Sequence, residues 1–351
     1  MALTPASLTD LLNHGYDTVI DVRSPAEYAE DHVPGAINLP VLSNEERARV
    51  GTIYKQVSPF DARKLGAALV FRNAANHIET ALSHHDGAWQ PLVYCWRGGQ
   101  RSGSFAWLLS EIGWRSDVIA GGYKTFRRLV VDMLHREPLA FKLVQLGGYT
   151  GTAKTELLPY LAARGVQVID LEGLANHRGS LLGGMGEQPS QKAFETKIAS
   201  ALSDMDPARP VLVEAESSKV GEVLVPPSLW EAMKAAPWIE ITAPIEARTD
   251  YLMRAYADIL ADTTTLQRKL APLKTFRGDA LVSQWIGQSA AGDTRALTRS
   301  LMLDHYDRAY AKSMKAMSPT IIDRVEAEGL SPENLVDVAD RIAEVLQAIE
   351  T

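Results

Sequence analysis

Val93-Tyr94-Cys95-Trp96-Arg97-Gly98-Gly99-Gln100-Arg101-Ser102 is the stretch on which the fold and the chemistry turn. It holds Cys95, the single cysteine of the 351-residue chain. The apolar run Pro91–Tyr94 reads as a strand leading in, and Ser104–Ile112 reads as a helix leading out. A thiol at that junction faces helix N-terminal N–H groups and the positive end of the helix dipole. Arg97 and Arg101 add fixed positive charge, and all these terms favour thiolate over thiol. A lone cysteine is more often a small buried hydrophobe. Two guanidinium groups beside it do not belong in an apolar core, so the loop reads as a nucleophile next to an anion cradle. Cys95, Arg97 and Arg101 are the candidate catalytic residues, with Gly98 and Gly99 supporting the loop.

Working outward, residues 1–137 read as one domain. Thr4-Pro5 reads as a helix cap with proline at the first helical position. Thr18-Val19-Ile20-Asp21 is a buried strand ending in an acid. Ser24-Pro25-Ala26-Glu27 opens a helix, with Glu27 placed for a capping box. A turn and short strand cover His32–Pro40, and helices follow over about Asn44–Gln56 and Asp61–Ser83. After the Cys95 loop come a strand at Asp117–Ile119 and a helix opened by Gly121-Gly122. Strands alternating with helices predict a parallel α/β sheet, whose ligands bind at the carboxyl ends of strands.

Glu137-Pro138 marks the boundary, and residues 138–351 read as a second domain. Lys142–Gly147 is a buried strand. It runs into Gly148-Tyr149-Thr150-Gly151-Thr152-Ala153-Lys154-Thr155, close to the P-loop pattern in which a glycine-rich turn and a lysine cradle phosphates. The departure is Ala153, where the pattern has glycine. Alanine is tolerated there if the local φ is negative. The alternative is a strand-to-helix turn with a solvated lysine. Gly148, Thr150, Gly151, Lys154 and Thr155 are the candidate phosphate-binding residues, joined by His177 and Arg178 from a later glycine-rich loop. Strands at Val166–Asp170 and Pro210–Glu216 end in acids. Asp170, Glu214 and Glu216 could, with Thr155, hold Mg²⁺; acids there also serve as helix caps. A fourth strand is Trp238–Thr242. Beyond Pro244 the chain reads as helical, with Arg248, Arg254, Lys269, Lys274 and Arg277 among aromatics. That mixture suits RNA and equally suits a solvated helix surface.

Composition narrows the field. The chain carries net charge −7, with 14 Lys+Arg against 15 Asp+Glu in residues 1–140 and 22 against 28 in the remainder. Neither half attracts nucleic acid by bulk charge. One cysteine excludes an internal disulfide and fits a reducing, cytoplasmic setting. The start lacks a basic region that would open a signal peptide, and no apolar run nears the roughly 18 residues of a membrane span.

Asp21-Val22-Arg23, Glu27-Tyr28, His32-Val33-Pro34-Gly35-Ala36-Ile37-Asn38, the Cys95 loop and Gly121-Gly122-Tyr123 together resemble a rhodanese domain over residues 5–135. That resemblance implies sulfur or selenium handling at Cys95, with Asp21 and Arg23 holding the loop. The Cys95-x5-Arg101 spacing is also that of the phosphatase relatives of this fold, so phosphate or selenophosphate would suit the cradle. The P-loop domain adds Asp170–Ser180, Gln191-Lys192-Ala193-Phe194-Glu195 and Glu214-Ala215-Glu216-Ser217. With these the whole chain resembles the tRNA 2-selenouridine synthase family. The resemblance implies a transferase acting on tRNA with 2-thiouridine at the wobble position. Geranyl diphosphate and selenophosphate would be co-substrates, with contact to a selenophosphate-producing enzyme. Other readings of the residues are a sulfurtransferase fused to a small-molecule kinase, a C-x5-R phosphatase, or a non-catalytic tRNA-binding regulator.

Overall fold

The computed structural model describes residues 2–180 and 182–350. Five parallel strands build the first sheet: β1 (Ala2–Leu3), β2 (Thr18–Asp21), β3 (Ile37–Asn38), β4 (Pro91–Tyr94) and β5 (Asp117–Ile119). Their order is β1-β5-β4-β2-β3. All four residues of β4 are buried, as a strand covered on both faces must be. Cys95 follows its last residue in the middle of the sheet. The first helix is Leu8–Leu12, later than Thr4-Pro5 implied. Ser7 caps it by accepting from the Asp10 N–H, and Ala2–Leu3 instead pairs with β5. The helix Asn44–Gln56 falls where the sequence put it, and the next, Pro59–Glu79, is opened by Ser58 and so starts and ends earlier than the expected Asp61–Ser83.

The second sheet is also parallel. It comprises β6 (Leu143–Gly148), β7 (Gln167–Ile169), β8 (Val211–Glu214), β11 (Trp238–Thr242) and β12 (Ile321–Glu326), in the order β12-β11-β6-β8-β7. A small hairpin, β9 (Lys219–Val220) and β10 (Val223–Leu224), lies outside it. The strand β12 interrupts the helical stretch expected beyond Pro244. It is an edge strand carrying Asp323, Arg324 and Glu326 and is mostly uncovered, so it lacks the apolar run of a central strand. The helical part packs around the fully buried Trp285 with Leu266, Leu270, Leu297 and Leu301. The closing helix Pro332–Glu350 places Leu335, Val338, Ala339, Ile342 and Leu346 against Leu157 and Leu161, the spacing of one apolar helix face.

The chain divides into two compact units. One holds the residues through Glu137 together with Pro189–Asp204; the other holds Pro138–Gln188 and the chain from Met205. Read from sequence, 189–204 fell in the second domain. In the structure the helix Gln191–Ser203 packs with the helices Leu8–Leu12 and Tyr123–Val131 of the first unit. Its buried Glu195 pairs with Arg127 and lies 3.2 Å from His135 Nε2. No helix among the described residues is long and apolar enough to cross a membrane.

Candidate active site

In the first unit the loop after β4 wraps the Cys95 sulfur, which is buried. Gly99 N donates to Sγ at 3.3 Å, and the Ser102 hydroxyl donates to it at 3.1 Å. Burial alone would push the thiol up. Against it act the Ser102 hydroxyl and backbone N–H, the Arg101 charge and the Arg97 backbone N–H, and the balance leaves Cys95 below its ordinary value. Arg97 is exposed, so its main chain, more than its guanidinium, acts on the sulfur. Arg101 is aimed by Glu27, whose Oε2 lies 3.3 Å from Arg101 Nη1 and 2.7 Å from Arg47 Nε. Burial works against the Glu27 carboxylate, but these two cations hold it below the usual range. Glu27 also accepts from Ser24 N at 3.3 Å, the capping contact read from sequence.

The loop is fixed from outside. Tyr123 N donates to Cys95 O at 2.8 Å and Lys124 N to Trp96 O at 3.1 Å. Gly98 has φ 62°, and a Cβ there would stand 2.8 Å from Gly121 N and Ile119 O, so no other residue fits. Beneath, Asp21 and Arg23 are fully buried and joined by Nη2–Oδ2 at 2.6 Å. Arg23 also donates to Asp31 O at 2.6 Å, and its guanidinium lies 4.0 Å from the Tyr123 ring centroid. The pair thereby braces the aromatic residues on either side of the loop.

In the second unit β6 runs into the glycine-rich turn, and the helix Lys154–Ala162 begins at Lys154. The turn lines a cleft of about 580 Å³. Gly148, Thr150, Gly151, Lys154, Thr155 and Arg178 all line it. Helix-start N–H groups lack intrahelical partners and so offer an anion site. Lys154 Nζ donates to Gly148 O at 2.9 Å, and Gly148 N donates to the Tyr310 hydroxyl at 2.9 Å. Ala153 has φ 59°, in the left-handed region. The negative φ that would have made alanine comfortable is not what the turn adopts. Among the described residues only Asn176 and Ser318 share that conformation without being glycine.

A cluster of acids faces Thr155. Its hydroxyl lies 2.5 Å from Glu214 Oε1 and 3.0 Å from Glu172 Oε2 and has one hydrogen to give. Burial, then the charges of Glu214 and Glu216, push Glu172 up to about 9. Burial, with Asp170 and Glu216, pushes Glu214 up to about 8, and burial also raises Glu216. A proton on Glu172 can be donated back to Thr155, which satisfies both contacts. Asp170 also lines the cleft but caps the helix Leu171–Ala175, accepting from Gly173 N at 2.6 Å. Among the described residues no three His, Cys, Asp or Glu side chains are arranged to hold a metal ion.

Other residues read from sequence lie elsewhere. His177 does not line the cleft. Its Nδ1 is buried without a hydrogen-bond partner among the described residues, and burial, then the Lys269 charge, keeps its ring below the ordinary value. Arg178 pairs with Asp258 at 3.2 Å and lies 5.0 Å from the Tyr256 ring. Arg248, read as a candidate RNA contact, is a correction. It is 6% exposed, donates to Thr150 O at 2.9 and 2.7 Å, and is paired with Asp307 at 2.5 Å, so it braces the P-loop. Arg254 donates to Leu330 O at 3.0 Å, Lys274 pairs with Asp279 at 2.7 Å, and Arg277 donates to His305 O at 3.0 Å; Lys269 is half-buried. Sequence reading missed Ser102 and Glu27 at the first site and Glu172 and Tyr310 at the second. In the sequence Glu27 reads only as a helix-capping and motif residue, Ser102 is signalled only as a hydroxyl in a helix first turn and Glu172 only as an acid just past a strand end, and Tyr310 has no signal.

Fold and site define a rhodanese-type cysteine-loop unit joined to a P-loop unit. The family pattern for the rhodanese-like domain matches residues 4–129, and that for the tRNA 2-selenouridine synthase AAA domain matches 141–283. A tRNA 2-selenouridine synthase of Nitrosomonas europaea is 33% identical over 307 residues, covering 86% of this chain and 75% of that protein. The proteins of that name from Cupriavidus pinatubonensis and Alcanivorax borkumensis are 32% and 33% identical, each over 87% of this chain and 91% of their own length. The chain belongs to the tRNA 2-selenouridine synthase family.

Proposed function

We propose that this protein converts wobble 2-thiouridine in tRNA to 2-selenouridine through a geranylated intermediate, drawing on geranyl diphosphate and selenophosphate. The observation that carries this is the pairing, on one chain, of a cysteine whose thiol is held below its ordinary value with a separate P-loop cleft. In the first step the thiouridine sulfur attacks C1 of geranyl diphosphate. The C1–O bond breaks, diphosphate leaves, and the base loses its N3 proton. Lys154 and the helix-start N–H groups neutralise charge growing on the diphosphate. In the second step the selenium of selenophosphate attacks C2 and the C2–S bond breaks, releasing geranyl thiol. Water then cleaves the Se–P bond to give phosphate and the selenouridine. Cys95, Arg101 and the loop N–H groups hold the selenium donor.

No three acids among the described residues form a ready metal site; Glu172 and Glu214, both on the Thr155 hydroxyl, would hold a divalent cation only on giving up their protons. Mg²⁺, when bound, would add positive charge to the departing diphosphate. Arg254, Lys269, Lys274 and Arg277 serve tRNA in this reading. Phe276, 76% exposed between Lys274 and Arg277, offers a face for a stacked base.

The experiment is mass spectrometry of wobble nucleosides after incubation with 2-thiouridine tRNA, with each donor omitted in turn. Without selenophosphate the geranylated base should accumulate. Selenouridine formed without geranyl diphosphate would overturn the two-step order, and NTP turnover without tRNA would favour a small-molecule kinase.

A further inference from the structure

Between β3 and β4 the helices Asn44–Gln56 and Pro59–Glu79 pack on one another in the cysteine-loop unit. Residues 47–72 carry six Lys and Arg against one acid, Asp61, in a chain of net charge −7. Glu27 takes Arg47, and Asp61 takes Lys64 at 3.1 Å. Arg49, Lys55 and Arg72 are exposed, and no acid among the described residues pairs with them. Large rings stand among these cations: Tyr54 is 55% exposed, Phe60 68% and, on the neighbouring helix Gln100–Ile112, Trp107 55%. Phe60, Lys64, Ala67 and Phe71 are all exposed and recur at the spacing of one helix line. Lys64 Nζ lies 5.8 Å from the Phe60 ring centroid, and Phe71 meets Trp107 edge-on at 6.3 Å. Trp107 in turn shares a line with Gly103 and Gly99, at steps of four residues, all exposed. Gly99 N is the group that donates to the Cys95 sulfur. Eight residues of helix place Trp107 about 12 Å from that point, with no side chain at Gly103 between them.

We propose that this line of rings and cations is an RNA-binding face, along which the single strand flanking the modified base runs toward the Cys95 loop. The proposal rests on the tRNA reading given above. Exposed rings alone would equally suit a protein, but the core of a protein interface is depleted of charge, and of lysine especially. Here each ring has a cation within one helical turn: Lys55 for Tyr54, Lys64 for Phe60 and Arg72 for Phe71. Unpaired bases stack on rings of any sequence context while neighbouring cations take the phosphates. Phe60 and Phe71 stand about 16 Å apart along their helix, room for a run of nucleotides and not for one base alone. The chain as a whole repels a polyanion, so a local excess of five positive charges over residues 47–72 supplies attraction where the reaction needs it.

The test is fluorescence anisotropy of the full chain with tRNA carrying 2-thiouridine at the wobble position, between roughly 50 and 200 mM salt. Arg49→Gln, Lys55→Gln and Arg72→Gln combined should weaken binding and lower the slope of log affinity against log salt by about two. Phe60→Ala and Trp107→Ala should each cost about five- to hundredfold in affinity with the slope kept, the loss of a stacked base. All five side chains are exposed, and alkylation of Cys95 at the parent rate confirms that each variant folds. Variants that bind with the parent's affinity and slope overturn the face and leave the tRNA reading standing. Failure of the parent chain to bind this tRNA overturns both. Unchanged tRNA affinity, with selenation lost only when the selenium comes from a selenophosphate-producing enzyme and kept with free selenophosphate, assigns the face to a protein and overturns the proposal.

Discussion

The Ser102 hydroxyl donates to the Cys95 sulfur across 3.1 Å, from the first turn of the helix that the cysteine loop feeds. A hydrogen bond to a charged group is worth about 1.5–3 kcal/mol, or roughly one to two pH units of thiol titration. Ser102→Ala should therefore move the midpoint of Cys95 alkylation by iodoacetamide upward by about that much. At pH 7 the alkylation rate should fall on the order of tenfold. A midpoint that stays in place in the folded variant would show that the loop N–H groups and Arg101 suffice.

The two anion sites divide the chemistry, and single substitutions separate them. Cys95→Ala should abolish selenation while geranylation of tRNA continues. Lys154→Ala should lose geranylation first, with geranyl diphosphate affinity down roughly ten- to hundredfold, the worth of one charge-assisted hydrogen bond. Both products are read by nucleoside mass spectrometry. Equal loss of both steps in folded Cys95→Ala, or unchanged affinity in Lys154→Ala, would sink the division.

The acid cluster gives stability a pH dependence of definite sign. Unfolded, these carboxyls titrate near their ordinary 4.5, whereas in the fold Glu172 keeps its proton to about 9 and Glu214 to about 8. Between those limits the folded protein binds more protons than the unfolded chain. Its stability therefore falls as pH rises from about 4.5 through 8 to 9. Thermal midpoints measured from pH 6 to 9 should decline, and Glu214→Gln should flatten the decline. Mg²⁺ should raise the midpoint more at pH 9 than at pH 6. A slope unchanged in Glu214→Gln would show that the cluster does not set it.

Ala153 holds a left-handed φ of 59° at the start of the P-loop helix, where an L side chain costs about 1–2 kcal/mol. Ala153→Gly removes that strain and returns some of the gain as backbone freedom in the unfolded chain. The net expectation is a stabilisation of about 0.5–1 kcal/mol, a rise of roughly 1–4 °C in the thermal midpoint. A lowered midpoint would mean that the methyl packs better than it strains.

What the sequence disclosed follows from how far each relationship reaches along the chain. The Cys95 loop and the P-loop are contiguous, with chemistry and spacing in one window of about ten residues, and both could be read directly. So could the central strands, whose apolar runs are covered on both faces. Arg248 looked like a surface base because its partner Asp307 is 59 positions away. The Glu27 contact that aims Arg101 spans 74 positions. The edge strand β12 is half polar because only one side is covered. The φ of Ala153 has no signature in residue type at all, since its conformation is imposed by the loop around it.

The helix Gln191–Ser203 carries a further consequence. Its buried face, with Phe194, Ile198 and Leu202, belongs to the cysteine-loop unit although the P-loop precedes it in the chain. The gene therefore cannot be divided into two self-sufficient halves by one cut. A fragment ending at Glu137 would leave Arg127 without Glu195, and the complementary fragment would carry an apolar helix with no core to enter. Complementation from separate polypeptides would need the helix returned to the first fragment as an appended segment, in an order the natural chain never uses.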